Sequence, residues 1–149
     1  MSDLSEKEQA FIERVRSMLE TYIEFLGECG IEPGAGSYIL STSGRIYHGV
    51  PFIGARGIHG EEDAIGSMIT EEGLNARLET VLVVGAPDHI IMPCGICRKT
   101  IWRFGVEGAT VICATQSLKK IKKFAISELY PHPNARAKVK KQSRDDIIR

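Results

Sequence analysis

No stretch of this sequence approaches the roughly 18 uninterrupted apolar residues of a membrane-spanning helix, so no membrane partner is expected. Internal repeats and low-complexity linkers are absent too, which leaves a single domain. Cysteine is scarce, at four of 149 residues, and that excludes a disulfide scaffold. Charge of one sign is not in excess either, the formal net charge being zero. Overall charge therefore neither demands nor excludes nucleic acid. The first residues, MSDLSEKEQAF, are acidic and polar where a secretory signal would be basic and then apolar. A soluble cytoplasmic protein is the expectation.

What is present is an ordinary globular mixture, 43% hydrophobic and 26% charged. A chain of this length buries about two-thirds of its unfolded surface, enough for one core. The zero net charge conceals two opposed halves. Residues 1–89 carry fifteen acidic against six basic side chains, an excess of nine negative charges. Residues 90–149 carry thirteen basic against four acidic, an excess of nine positive charges. Such halves can steer an anionic partner or match opposite patches between subunits; two solvated faces that merely differ would look the same. Residues 1–134 are read as the domain and 135–149 as a basic C-terminal tail.

Apolar periodicity supplies the elements. Phe11, Val15, Met18, Tyr22 and Phe25 are spaced by three and four, the stripe of an amphipathic helix over residues 5–29. SYILS and RIYHGV read as strands joined by a turn at Ser43 and Gly44, with PFIGARG a loop after them. A second helix starts near Gly60, turns Ala64, Ile65, Met68 and Ile69 inward and ends at Gly73. TVLVVG and ATVICAT are nearly all apolar, as buried strands are. Between them a third helix covers about residues 94–104. SLKKIKKFAI, with Leu118, Ile121 and Phe124 in step, predicts a fourth helix over residues 117–126. The order α-β-β-α-β-α-β-α predicts an α/β fold, a three-layer α/β/α sandwich around a mixed sheet.

Two short motifs fall at helix starts, His59-Gly60-Glu61 and Pro93-Cys94-Gly95-Ile96-Cys97. One imidazole and two thiolates make a three-ligand shell for zinc, and such a shell leaves a fourth position open, as catalytic sites do. Cys94 and Cys97, three apart, share a helix face, and a helix N-terminus favours thiolate. Glu61 is then the carboxylate beside water in the open position. It can take a proton and relay it to a ring nitrogen and a departing amine, the work of a general acid–base group. The pattern H-x-E followed by P-C-x-x-C is the signature of zinc nucleobase deaminases.

HGEEDAI and PCGICRK, with thirty-one residues between Glu61 and Pro93, resemble the cytidine deaminase family. SGRIYHG is similar to that family's hairpin and SELYP to the end of its last helix, so the resemblance spans roughly residues 10–131. It implies a zinc-dependent hydrolytic deaminase of cytidine or deoxycytidine, acting in pyrimidine salvage as a homodimer or homotetramer. By resemblance His59, Cys94 and Cys97 are the zinc ligands and Glu61 is the proton shuttle. Pro51, Phe52 and Gly60 are candidates for substrate contact. Pro51 and Ile53 stand where cytidine-specific members carry the Asn-x-Glu that holds the ribose, and neither has a hydrogen-bonding side chain. Glu62 stands where members with three thiolate ligands carry Arg. With His59 neutral, zinc and two thiolates already sum to zero charge, so no Arg is required.

Other readings stay open. Another amino-heterocycle, such as a blasticidin S-like or modified nucleoside, fits the same motifs. A lone CxxC could be a redox dithiol, although His59-Gly60-Glu61 would then have no role. A closed structural zinc site needs a fourth ligand, for which His89 and Cys113 are available. The basic half could hold RNA through Lys119, Lys120, Lys122 and Lys123, and a non-catalytic zinc scaffold is the blandest choice. His48 reads as a surface or edge residue, and His132, between two prolines, as a cap on the pocket. Arg98 is either a donor to a thiolate or a solvated helix position. Trp102 and Phe104 read as core or subunit interface, and Cys29 and Cys113 as small apolar residues.

Overall fold

The computed structural model describes residues 3–28 and 36–134. Cys29 and the basic tail 135–149 lie outside the described residues. The first helix, α1 (Glu6–Glu28), opens with a reciprocal cap. The Glu8 N–H donates to Ser5 Oγ at 3.2 Å and the Ser5 N–H to Glu8 Oε2 at 2.8 Å, which satisfies two otherwise orphaned donors. Its buried line is Phe11, Ile12, Val15, Leu19 and Leu26. The expected stripe is thus rotated at its far end, where Phe25 is 58% exposed.

Strands β1 (Gly36–Ser41) and β2 (Ile46–Gly49) form the expected hairpin. PFIGARG is not a plain loop. It holds two-residue strands, β3 (Phe52–Ile53) and β4 (Gly57–Ile58), paired antiparallel. Helix α2 (Gly60–Glu72), strand β5 (Leu78–Val84), helix α3 (Gly95–Phe104) and strand β6 (Gly105–Ala114) follow. The main sheet runs β2-β1-β5-β6-β7, with β7 at Ile121–Ala125. Only β5 and β6 are parallel, as a crossover through α3 requires. A one-turn helix, α4 (Ile126–Leu129), follows β7.

Alternation along the central strands builds two cores. Tyr38, Leu40, Leu82, Val84, Ile112 and Ala114 face α1. Ile39, Val81, Val83, Val111 and Cys113 face the side of α2 and α3, where Met68, Ile101 and Trp102 join them. Helices on both faces of a mixed sheet are the three-layer sandwich expected.

The fourth helix predicted over residues 117–126 is instead a turn and a strand. Leu118 takes a left-handed φ of 59°, which no helix continues, and Ile121–Ala125 pair antiparallel with β6. Helical spacing of Leu118, Ile121 and Phe124 conceals a period of two. Ile121 packs with the α1 core, while Phe124 packs with the opposite one. Lysines along β7 suit a sheet edge, where charge discourages pairing with another chain.

Polar ties fasten the layers. Lys123 Nζ donates to Glu8 Oε2 at 2.7 Å, and Thr110 Oγ1 donates to Glu8 Oε1 at 2.9 Å. Burial by itself would raise the Glu8 carboxyl. Hydrogen bonds from Lys123, Ser5 and Thr110 outweigh it and hold the group below its ordinary value. At the other end of the sheet Glu72 accepts from Ser41 Oγ (2.8 Å), Ser43 Oγ (2.9 Å) and Tyr47 Oη (2.6 Å). That network pins the end of α2 to the β1–β2 turn. His48 lies on the edge strand β2, as expected, and is half-buried. Its ring stacks on Tyr38 with centroids 4.3 Å apart, and Tyr22 meets it edge-on.

Candidate metal centre

Two helix starts converge at one end of β5. His59 is the N-cap of α2 and Cys94 the N-cap of α3. The α2 start is set by Glu62, whose Oε1 accepts the His59 N–H at 3.2 Å, and by Glu61, Glu62 and Asp63, all favourable at the positive end of a helix. Glu62, singled out in the sequence only for not being Arg, thus caps the helix that carries the motif. Asp63 Oδ2 accepts the Val50 N–H at 2.9 Å, tying the segment before Pro51 to the same turn.

The α3 start is set by the loop that leaves β5. A Cβ on Gly85 would lie 2.8 Å from both His89 O and Ile91 N, so only glycine lets residues 89–91 fold back over the strand end. Arg98 Nε then donates to Pro93 O at 2.8 Å and its guanidinium to Leu129 O at 3.4 Å. Arg98, half-buried, donates to backbone carbonyls rather than to a thiolate. It clamps the chain just before Cys94 against α3 and α4.

These elements bring His59, Cys94 and Cys97 together. Their ligand atoms all lie within 4.8 Å of one another. His59 Nδ1 is 3.2 Å from Cys94 Sγ and 3.3 Å from Cys97 Sγ. Donors at ordinary zinc bond lengths in a tetrahedron stand about 3.5 Å apart, and both nitrogen–sulfur separations are close to that spacing. Cys97 is fully buried and Glu61 is 7% exposed, with Cys97 Sγ 3.4 Å from Glu61 Oε2. Burial first, then the Glu61 charge and Cys94, push the Cys97 thiol far above its ordinary value. A cation among these donors is what would let thiolate form there. The donor set fits zinc.

The nominated fourth ligands are elsewhere. His89 is exposed and its Nδ1 is 2.9 Å from Asp88 Oδ1. Cys113 lies in the core below the site, its thiol pushed up to about 12 by burial and then by Glu61. His132 is exposed and lines none of the cavity beside the donors. Trp102 is buried in the core, where Phe104 packs against it. Lys119, Lys120 and Lys122 are exposed, while Lys123 is bound to Glu8.

Beside the donors is a cavity of about 210 Å3 lined by Ser37, Pro51, His59, Gly60, Glu61, Val83, Ile91, Met92 and Cys94. Pro51 and Gly60 are therefore on its wall. Phe52 borders a separate groove with Arg56, Ile58 and Glu62. Ser37, Val83, Ile91 and Met92 were not singled out by sequence. They belong to no local motif, and only sheet order and the fold-back at Gly85 bring them to the site.

No protein-family model matches the sequence, and no curated protein matches it. Solved structures do. Cytidine deaminase from Burkholderia pseudomallei superposes with a TM-score of 0.59 at 21% identity, over 66% of this chain and 79% of that one. Cytidine deaminase from Mycobacterium leprae gives 0.50 at 22% identity, over 66% and 78%. The enzyme from Mycobacterium tuberculosis gives 0.50 at 18%, over 66% and 76%. At these identities the likeness is one of fold, and the fold is that of cytidine deaminases. Among the described residues no helix is long and apolar enough to cross a membrane.

Proposed function

We propose that this protein is a zinc-dependent hydrolytic deaminase that replaces the amine of an amino-heterocycle by oxygen. One observation carries the reading: three candidate metal donors meet beside a cavity that two of them line, with a buried carboxylate 3.4 Å from the third. The shared fold with structures named as cytidine deaminases supports an amino-pyrimidine ring as the substrate.

His59, Cys94 and Cys97 would hold the ion. Bound there, zinc would supply Lewis-acid chemistry, lowering the pKa of water toward about 7. The rest falls to the chain. Glu61 accepts a proton as water oxygen bonds to the ring carbon that carries the amine, and passes it to the adjacent ring nitrogen. It then carries the remaining hydroxyl proton to the amine as the carbon–nitrogen bond breaks. One water enters and one ammonia leaves, with no change of oxidation state. Val83, Ile91 and Met92 give the cavity an apolar wall, and a less polar surround strengthens each charge interaction inside.

The same reading expects a cytoplasmic homodimer or homotetramer, supported by the exposed apolar side chains Phe52, Ile53 and Ile96. The test is zinc content, then ammonia release from cytosine, adenine and guanine bases and nucleosides. About one zinc per chain with turnover is expected. Cys94→Ala and Cys97→Ala should each lose the zinc, and full retention in both would overturn the site.

A further inference from the structure

We infer that the cavity takes a single-ring amino-heterocycle carrying no sugar, a free base rather than a nucleoside. This rests on the deaminase reading and narrows it. Three observations point the same way. The cavity of about 210 Å3 is smaller than the roughly 300 Å3 at which pockets for larger ligands begin. Its volume suits one flat ring with its amine and the attacking water. Beyond the donors and Glu61, Ser37 is the only lining side chain, among the described residues, with a strong hydrogen-bonding group. A sugar hydroxyl pressed against this lining would find only Ser37, and a hydroxyl buried without a partner costs about 1–3 kcal/mol.

The third observation concerns the wall itself. Pro51, Val83, Ile91 and Met92 form its apolar part, and two of them are fixed by backbone. Val83 belongs to the central strand β5, and Pro51 follows Val50, whose N–H is bound to Asp63. The Pro51 part of the wall is thus held by the same helix turn that carries Glu61. A flat heterocycle gains from that wall on its faces, while Ser37 and Glu61 remain for its polar edge. Sites built around hydrogen bonds to hydroxyls discriminate through matched polar groups, and this wall supplies none for a sugar.

The test uses the full chain loaded with zinc, and cytosine and cytidine as probes. Ammonia release gives kcat/KM for each, expected to favour cytosine by about 100-fold or more. Calorimetric titration of zinc-loaded Glu61→Gln reads binding without turnover, with cytosine expected at least tenfold tighter than cytidine. Cytidine equal to or better than cytosine in either measurement overturns the inference, and its turnover would leave the deaminase reading standing. Cytosine binding without ammonia release from any base or nucleoside in the wild-type chain would instead sink the deaminase reading. Binding of neither probe would overturn the inference too.

Discussion

Gly49 of β2 lies so close to Gly60 of α2 that a Cβ on Gly49 would overlap the Gly60 carbonyl oxygen and come within 2.8 Å of Ala64 Cβ. The edge strand therefore rests on the first turn of the helix that carries His59 and Glu61. Gly49→Ala must push that turn away, and overpacking in a buried contact costs about 1–3 kcal/mol or more. Chemical denaturation should show a loss of at least that size, with reduced zinc content in the folded fraction. Gly66→Ala is the control. Nothing lies within 4 Å of its Cβ, and it should be neutral or gain up to about 1 kcal/mol of stability.

Glu61 donates nothing to the donor triangle but stands beside it. Glu61→Gln keeps the shape and removes the proton acceptor, so zinc content and melting temperature should hold while kcat falls by about 10^2- to 10^4-fold. Steady-state kinetics beside metal analysis checks both halves. Unchanged kcat would remove the proton shuttle from the mechanism.

Arg98 touches neither sulfur, yet it fixes the carbonyl of Pro93 immediately before Cys94. Arg98→Ala should loosen that ligand and weaken zinc affinity by about tenfold or more. Competition with a chromophoric chelator measures the change. Arg98→Lys should not restore it, because an ammonium cannot span Pro93 O and Leu129 O as the guanidinium does.

Glu8 makes stability depend on pH. Its folded carboxyl is held below the ordinary value of 4.5, so the folded state binds fewer protons than the unfolded one near that pH. The contribution is complete above about pH 4.5 and is lost as pH falls through the folded value. Denaturation midpoints measured from pH 6 downward should fall below pH 4.5, more steeply than in Glu8→Gln. Equal slopes would show that other carboxyls account for the acid loss. At neutral pH, Lys123→Met should cost about 2 kcal/mol, since it removes a charged hydrogen bond to a buried acceptor.

Local chemistry was legible wherever a signal repeats within a few residues. The helix starts at His59 and Cys94, the stop at Gly73 and the buried runs around Val81 and Val111 all lie where caps and apolar patterning put them. The donor types and their spacing were legible for the same reason, since a histidine and two cysteines at helix starts are a sequence property. Residues 117–126 were not. Their lysines and apolar residues fit a helix as well as a strand, and the decision came from hydrogen bonds that β6 offers β7. His48 was legible as an edge residue, and β2 is the edge strand, but nothing in the sequence shows that Tyr22 and Tyr38 pack on its ring.

By itself, then, the sequence picked out the candidate donors, the carboxylate beside them and the helix starts that carry them, because periodicity and capping act over one or two turns. Tertiary structure alone decided which atoms meet. His59 and Cys94 are thirty-five residues apart, and Ser37 reaches the same cavity from β1, which pairs with the strand β5 that leads to both cysteines. Contacts at such separations are set by strand pairing and by the space left at Gly49 and Gly85, and no local pattern encodes them.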